Sequence, residues 1–113
     1  MSVPLRKRPL VRIAWEKRGV RGYDMAQTPW MRSGLAITPA MDEARGHWTI
    51  THVASGWAVI RDIHGQNVAI EATRKLLDMG DWTRDYEAIV ADVDLKARAV
   101  LLRNQLTAQG DID

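Results

Sequence analysis

The sequence predicts a small α+β domain: an antiparallel sheet of three or four strands with two C-terminal helices packed on it. Three observations point there. Residues 47–63 are rich in Thr, Val, Ile and Trp and are broken once, at Ala54-Ser55-Gly56, as a hairpin is. Residues 68–79 and 84–108 repeat apolar side chains at helical spacing. The chain has 113 residues and no cysteine, enough for one domain that buries roughly two-thirds of its unfolded surface without a disulfide or thiolate metal staple.

In chain order, Pro4 and Pro9 oppose helix and favour extended backbone. Leu10 to Trp15 reads as a short half-buried strand with Val11, Ile13 and Trp15 on one side. Residues 16–33 carry Gly19, Gly22 and Pro29 without a sustained period and read as a long irregular connection. Leu35 to Thr38 forms a second strand closed by Pro39, and a polar linker runs to Gly46. The hairpin strands are His47 to Val53 and Trp57 to Ile63, with Gly56 in the left-handed conformation of a bulged loop; their register is open by one residue.

Asn67 is the expected N-cap of a helix from Val68 to Met79, with Val68, Ala72, Leu76 and Met79 on its apolar face. Glu71–Lys75 and Arg74–Asp78 are its expected charge pairs, and Gly80 its stop. Thr83 is the expected cap of the last helix, Arg84 to Ala108, which is apolar on two opposite faces. Tyr86, Ile89, Val90, Val93, Ala97, Val100 and Leu101 form one stripe, and Ala88, Ala91, Leu95, Ala99, Leu102 and Leu106 the other. A surface helix needs one such stripe. Either the helix is sandwiched between the sheet and the first helix, or the Ala/Leu stripe is a protein interface that meets a target or a symmetry copy, as in a homodimer.

The whole chain reads as a single domain, 1–113: a basic, partly irregular N-terminal arm (1–33), the sheet and first helix (34–82), and the C-terminal helix (83–108). Charge divides along the same line. Residues 1–33 hold eight Lys/Arg against two acids, and residues 34–113 hold eight against twelve. Such an arm either lies on the acidic body or is kept for an anionic partner. Arg6, Lys7, Arg8, Arg12, Lys17, Arg18 and Arg21 are its candidate contacts to nucleic acid or an acidic partner, with Trp15, Tyr23 and Trp30 interleaved for stacking.

The catalytic inventory is thin. His47 and His52 lie an odd number of residues apart on one strand and so point to opposite sheet faces, and His64 sits at the far end of the hairpin from His52. Neither pair offers converging metal ligands, and His52 is expected to hydrogen-bond within the hairpin. Ser33-Gly34 and Ser55-Gly56 read as turns without the context of a nucleophile elbow, and phosphate-cradling loops are absent. The expectation is a non-enzyme with no cofactor. Arg12 interrupts the apolar stretch that a signal peptide needs, and no apolar run reaches membrane-spanning length, so the expected compartment is the cytoplasm.

Trp48-Thr49-Ile50-Thr51-His52, the turn Ser55-Gly56, a helix with Ala72 and Leu76-Leu77, and a close at Gly80-Asp81-Trp82 together resemble small uncharacterised proteins of bacteriophages and integrated mobile elements. In these a Trp-x-x-Thr-His strand and a Ser/Thr-Gly turn precede a helix ending near Asp-Trp. The resemblance covers about a third of the chain, leaves out the basic arm, and implies a phage-like origin and the cytoplasm of a bacterial host. The resulting expectation is a protein-interaction module that binds and modulates a host protein or nucleoprotein complex, with inhibition of a defence system as one form. The alternative is a nucleic-acid-binding protein working through the arm.

Overall fold

The computed structural model describes residues 8–40 and 46–112. The fold is mixed α+β and its strands are all antiparallel. β1 (Leu10–Lys17) and β2 (Val20–Gln27) form a two-stranded ribbon. β3 (Trp30–Arg32), β4 (Leu35–Pro39), β5 (His47–His52) and β6 (Ala58–His64) form a four-stranded sheet in that order. Three helices follow, α1 (Gln66–Leu77), α2 (Tyr86–Ala91) and α3 (Val93–Ala108). The result is three layers: ribbon, sheet, helices. Among the described residues, no helix is long and apolar enough to cross a membrane.

Residues 16–33 are therefore not an irregular connection. Arg18 (φ 52°) and Gly19 (φ 80°) both adopt left-handed conformations, the signature of the two-residue turn that reverses a strand while matching its twist. β2 is a poor strand by composition, and its pairing with β1 overrides that propensity. Gly22 is opposite Trp15 in the ribbon. An added Cβ there would come within 2.7 Å of the indole Cη2, so the missing side chain is what lets the ring lie across the strand.

Thr28 turns the chain from ribbon to sheet. Its N–H donates to Pro9 O at 3.0 Å, extending the β1–β2 ladder, and its fully buried hydroxyl lies 2.6 Å from Ile37 O and 2.7 Å from Trp30 O. The ribbon is also fastened at β1, where Ala14 N–H donates to Gly56 O (2.9 Å) and Arg12 Nη2 donates to Ala54 O (3.1 Å). Val11 and Ile13 are thereby buried against the sheet face that carries Ala36, Thr38 and Thr51.

The opposite sheet face holds the main core, with Leu35, Ile37, Ile50, Ile60 and Ile63 almost wholly buried. Ile60 and Ile63 are three apart and in a regular strand would face opposite ways. The pairing is Trp48↔Ile63 and Ile50↔Ile60, so two residues of β6 oppose Thr49, and Asp62 takes a positive φ of 59° in this bulge. The extra residue brings both isoleucines to the helices. This resolves the hairpin register, and Gly56 (φ 79°) stands in the left-handed conformation expected of it.

α1 begins at Gln66, earlier than the expected start at Val68. Gly65 (φ 95°) is its N-cap, and no side-chain cap forms. Ala69, Ala72, Thr73 and Leu76 are its buried residues, while Val68 and Met79 lie half-buried at the margin. The observed charge pair is Arg74–Glu71 at 2.6 Å. Asp78 is the C-cap, and Gly80 instead makes room for Leu95, whose Cδ1 would lie 3.1 Å from an added Cβ.

The expected single C-terminal helix is two, broken at Asp92 (ψ 87°). Asp85 and Asp92, rather than Thr83, are the caps, accepting from Ala88 N–H (2.8 Å) and Leu95 N–H (3.0 Å). Beyond α3, Gly110 (φ 81°) reverses the chain so that Asp111 O accepts from His64 N–H (2.8 Å) and Ile112 bridges Ile63 on the outer edge of β6.

Candidate interaction surfaces

The two stripes of the last helix exchange the roles first considered for them. Leu95, Leu102 and Leu106 are 2%, 3% and 5% exposed and belong to the core cluster with Ile60, Leu76 and Trp82; Ala99 packs against it. Of the remaining members of that stripe, Ala88 is half-buried and Ala91 is an isolated exposed methyl. The Ala/Leu stripe is thus the inner face of a monomer, which corrects its expected assignment as an interface. Leucines seven and four residues apart make a narrow seam that α1 and Trp82 fill.

The opposite stripe faces outward. Val93 is 77% exposed and Leu101 62%, and Tyr86, Val90 and Val100 are also exposed; Ile89 alone of the large side chains in this stripe is buried. Beside the stripe runs a groove of about 240 Å³ between the hairpin turn and the helices, lined by Trp57, Val59, Tyr86, Val90, Ala99 and Val100. Trp57 and Tyr86 meet there, ring centroids 6.3 Å apart. Monomeric surfaces rarely present contiguous apolar area of this kind, and where they do it marks a contact site.

What positions this face is a clasp built from the hairpin turn. His52, 2% exposed, places Nε2 2.8 Å from Arg84 O and 3.1 Å from Trp82 O. Both are carbonyls, so Nε2 carries the proton and donates. Nδ1, 2.7 Å from Ser55 Oγ, then accepts the Ser55 hydroxyl proton, while that oxygen accepts Trp57 N–H at 3.1 Å. Trp82 Nε1 donates in turn to Leu76 O (2.7 Å), satisfying a carbonyl at the end of α1. His52 does bond within the hairpin, as expected, and also ties the hairpin to the loop that launches α2.

Two aspartates fix that loop and the kink beyond it. The Thr83 hydroxyl, followed by the Thr83 N–H, holds the Asp81 carboxyl below its ordinary value. The Leu95 N–H, with the Arg84 guanidinium 3.0 Å away, does the same for Asp92. Both carboxylates are favoured in their charged, accepting form.

The basic residues are dispersed. Arg6 and Lys7 lie outside the described residues. Arg8 is half-buried, and Arg12 is held by Ala54 O, with its guanidinium 5.1 Å from the centre of the Tyr23 ring. Lys17, Arg18 and Arg21 are exposed at the ribbon tip, with Glu16 3.5 Å from Arg21. Of the rings expected to stack on bases, Trp30 is buried and Tyr23 is exposed. Between ribbon and sheet lies an open groove of about 520 Å³ lined in part by Trp15, Lys17, Asp24, Thr51, Trp57 and Arg61. His47 stands directly opposite His64 in the β5–β6 register, their rings stacked at 4.3 Å, a pairing the strand-parity argument did not consider. Among the described residues, no three His, Asp or Glu side chains gather as a metal site.

No protein-family model, curated protein or solved structure matches this chain.

Proposed function

We propose that the chain is a non-enzymatic protein-interaction module, an accessory protein of a phage or mobile element that modulates a host protein complex. The observation that carries the reading is the outward apolar stripe of α2 and α3, in which Val93 and Leu101 are more than half exposed on a helix whose other side already fills the core. The phage origin rests on the Trp-x-x-Thr-His, Ser-Gly and Asp-Trp residues of the resemblance. In the fold, His52, Ser55 and Trp82 are members of one clasp, which gives that pattern an architectural use. The test is affinity capture from bacterial lysate with mass-spectrometric identification. Wild-type protein retains a defined host complex, and Val93→Asp with Leu101→Asp loses it. Retention of the same complex by the double variant overturns the reading.

A second reading, nucleic-acid binding through the ribbon, is favoured by the exposed Lys17, Arg18 and Arg21 on a stiff left-handed turn. A two-stranded ribbon is narrow enough for the major groove. This reading expects duplex DNA binding that weakens steeply with salt, and Lys17→Glu with Arg18→Glu abolishes it. Binding that is absent, or indifferent to salt, removes it.

A further inference from the structure

The outer face of α3 carries a charge pattern that selects its occupant. From residue 85 to 94 the α2–α3 segment holds Asp85, Glu87, Asp92 and Asp94 and no base; from 95 to 108 it holds Lys96, Arg98 and Arg103 and no acid. This order suits the helix dipole. It also makes the segment complementary to itself when reversed, because an antiparallel copy sets the acidic half of one helix against the basic half of the other. A parallel copy sets like against like.

Apolar geometry favours the same arrangement. On α3, Val93, Ala97, Val100 and Asn104 recur at spacings of four, three and four, on the side away from Leu95 and Leu102. Leu101 flanks them. The smallest of these, Ala97, lies midway between the two most exposed, Val93 and Leu101. Crossing two helices at Ala97 lets the backbones approach closely and packs each Val93 beside the partner's Leu101. Asp94 and Arg98 lie on one flank of the stripe, paired at 3.3 Å within the chain. Under this two-fold axis that flank faces its own copy, so each Asp94 gains the partner's Arg98.

We propose that this face takes a second copy of the chain, the two α3 helices packed antiparallel about a two-fold axis at Ala97. The proposal rests on the protein-recognition reading and names the occupant of its contact face; a host complex then meets the dimer through its other surfaces. An isologous contact of this kind uses one patch twice and closes on itself.

The experiment is sedimentation velocity on the full chain over a wide concentration range, joined to cysteine cross-linking. Wild-type protein passes from monomer to dimer, and Val93→Asp with Leu101→Asp weakens the association by roughly 30-fold or more, the scale of a hot-spot loss. Asp94→Lys weakens it, and adding Arg98→Asp to the same chain recovers it, since the swap restores complementarity on both sides of the axis. The sequence has no cysteine, so Ala97→Cys introduces the sole thiol. Under mild oxidation it forms the covalent dimer, and Lys75→Cys, exposed on α1, does not.

A wild-type monomer at every concentration, a dimer indifferent to the Val93/Leu101 changes, or equal cross-linking from positions 97 and 75 overturns the inference. Lysate capture separates the two levels. A monomer that still loses its host complex through Val93→Asp and Leu101→Asp ends the second-copy inference and keeps the recognition reading. A monomer whose capture is unchanged by them ends both.

Discussion

Leu102→Asp unfolds the domain, whereas Leu101→Asp, one residue earlier, shifts its stability by no more than about 1 kcal/mol. Leu102 is 3% exposed within the core cluster and Leu101 is 62% exposed. Truncating a buried leucine costs about 2–5 kcal/mol, and a carboxylate placed in that space must also be desolvated or take up a proton. The combined loss, at least about 4 kcal/mol, approaches the whole stability of a small domain. At position 101 the new carboxylate stays in water and costs little beyond the difference in helix propensity. Urea titrations followed by Trp fluorescence give both values. Equal sensitivity at the two positions, or the reverse order, shows that the assignment of inner and outer stripes is wrong.

That contrast also marks how far periodicity reaches. Both faces of α3 are apolar, so the pattern has no net direction, and the sequence alone left open which stripe meets the core. Side-chain shape carried a hint: the inner seam is Leu95, Leu102 and Leu106, and the outer stripe on α3 is dominated by valine, which a helix tolerates less readily. The break at Asp92 was legible in principle, since a capping aspartate three residues before Leu95 is a helix-start signal, but an uninterrupted apolar rhythm hid it.

The β5–β6 hairpin, its Gly56 turn and α1 were readable because local propensity and tertiary role agree there. β2 was not, because Gly22, Asp24 and Gln27 argue against a strand and only the pairing with β1 and the indole of Trp15 make one. The bulge at Asp62 was equally invisible: strand parity assumes an unbroken ladder, and it is the interruption that turns both Ile60 and Ile63 inward. Of the candidate surfaces, the residues of the outer apolar stripe were named from sequence but placed on the inside. The three-way clasp of His52, Ser55 and the 82–84 loop joins segments 30 residues apart and has no local signature.

Gly34→Ala tests that clasp from its other side, with an expected loss of about 3–5 kcal/mol. Ser33 (φ 49°) and Gly34 (φ 94°) form the left-handed turn between β3 and β4, where any Cβ at position 34 brings backbone strain of about 1–3 kcal/mol. Contact adds to strain here. The new methyl would stand 2.5 Å from the Trp82 carbonyl carbon and 2.9 Å from Thr83 N, so the loop must withdraw. The oxygen of that carbonyl is one of the two acceptors for His52 Nε2–H, and Gly34 O itself accepts Val53 N–H at 2.9 Å. Moving either segment leaves buried polar groups short of partners, at about 1–3 kcal/mol each. Gly19→Ala is the control, because Gly19 has a similar φ (80°) and nothing within 4 Å of an added Cβ. It carries the conformational penalty alone. The difference between the two midpoints in urea therefore measures the pressure of the 82–84 loop on the β3–β4 turn. If Gly34→Ala costs no more than Gly19→Ala, that loop yields freely, and the clasp does not hold α2 and its exposed face in place.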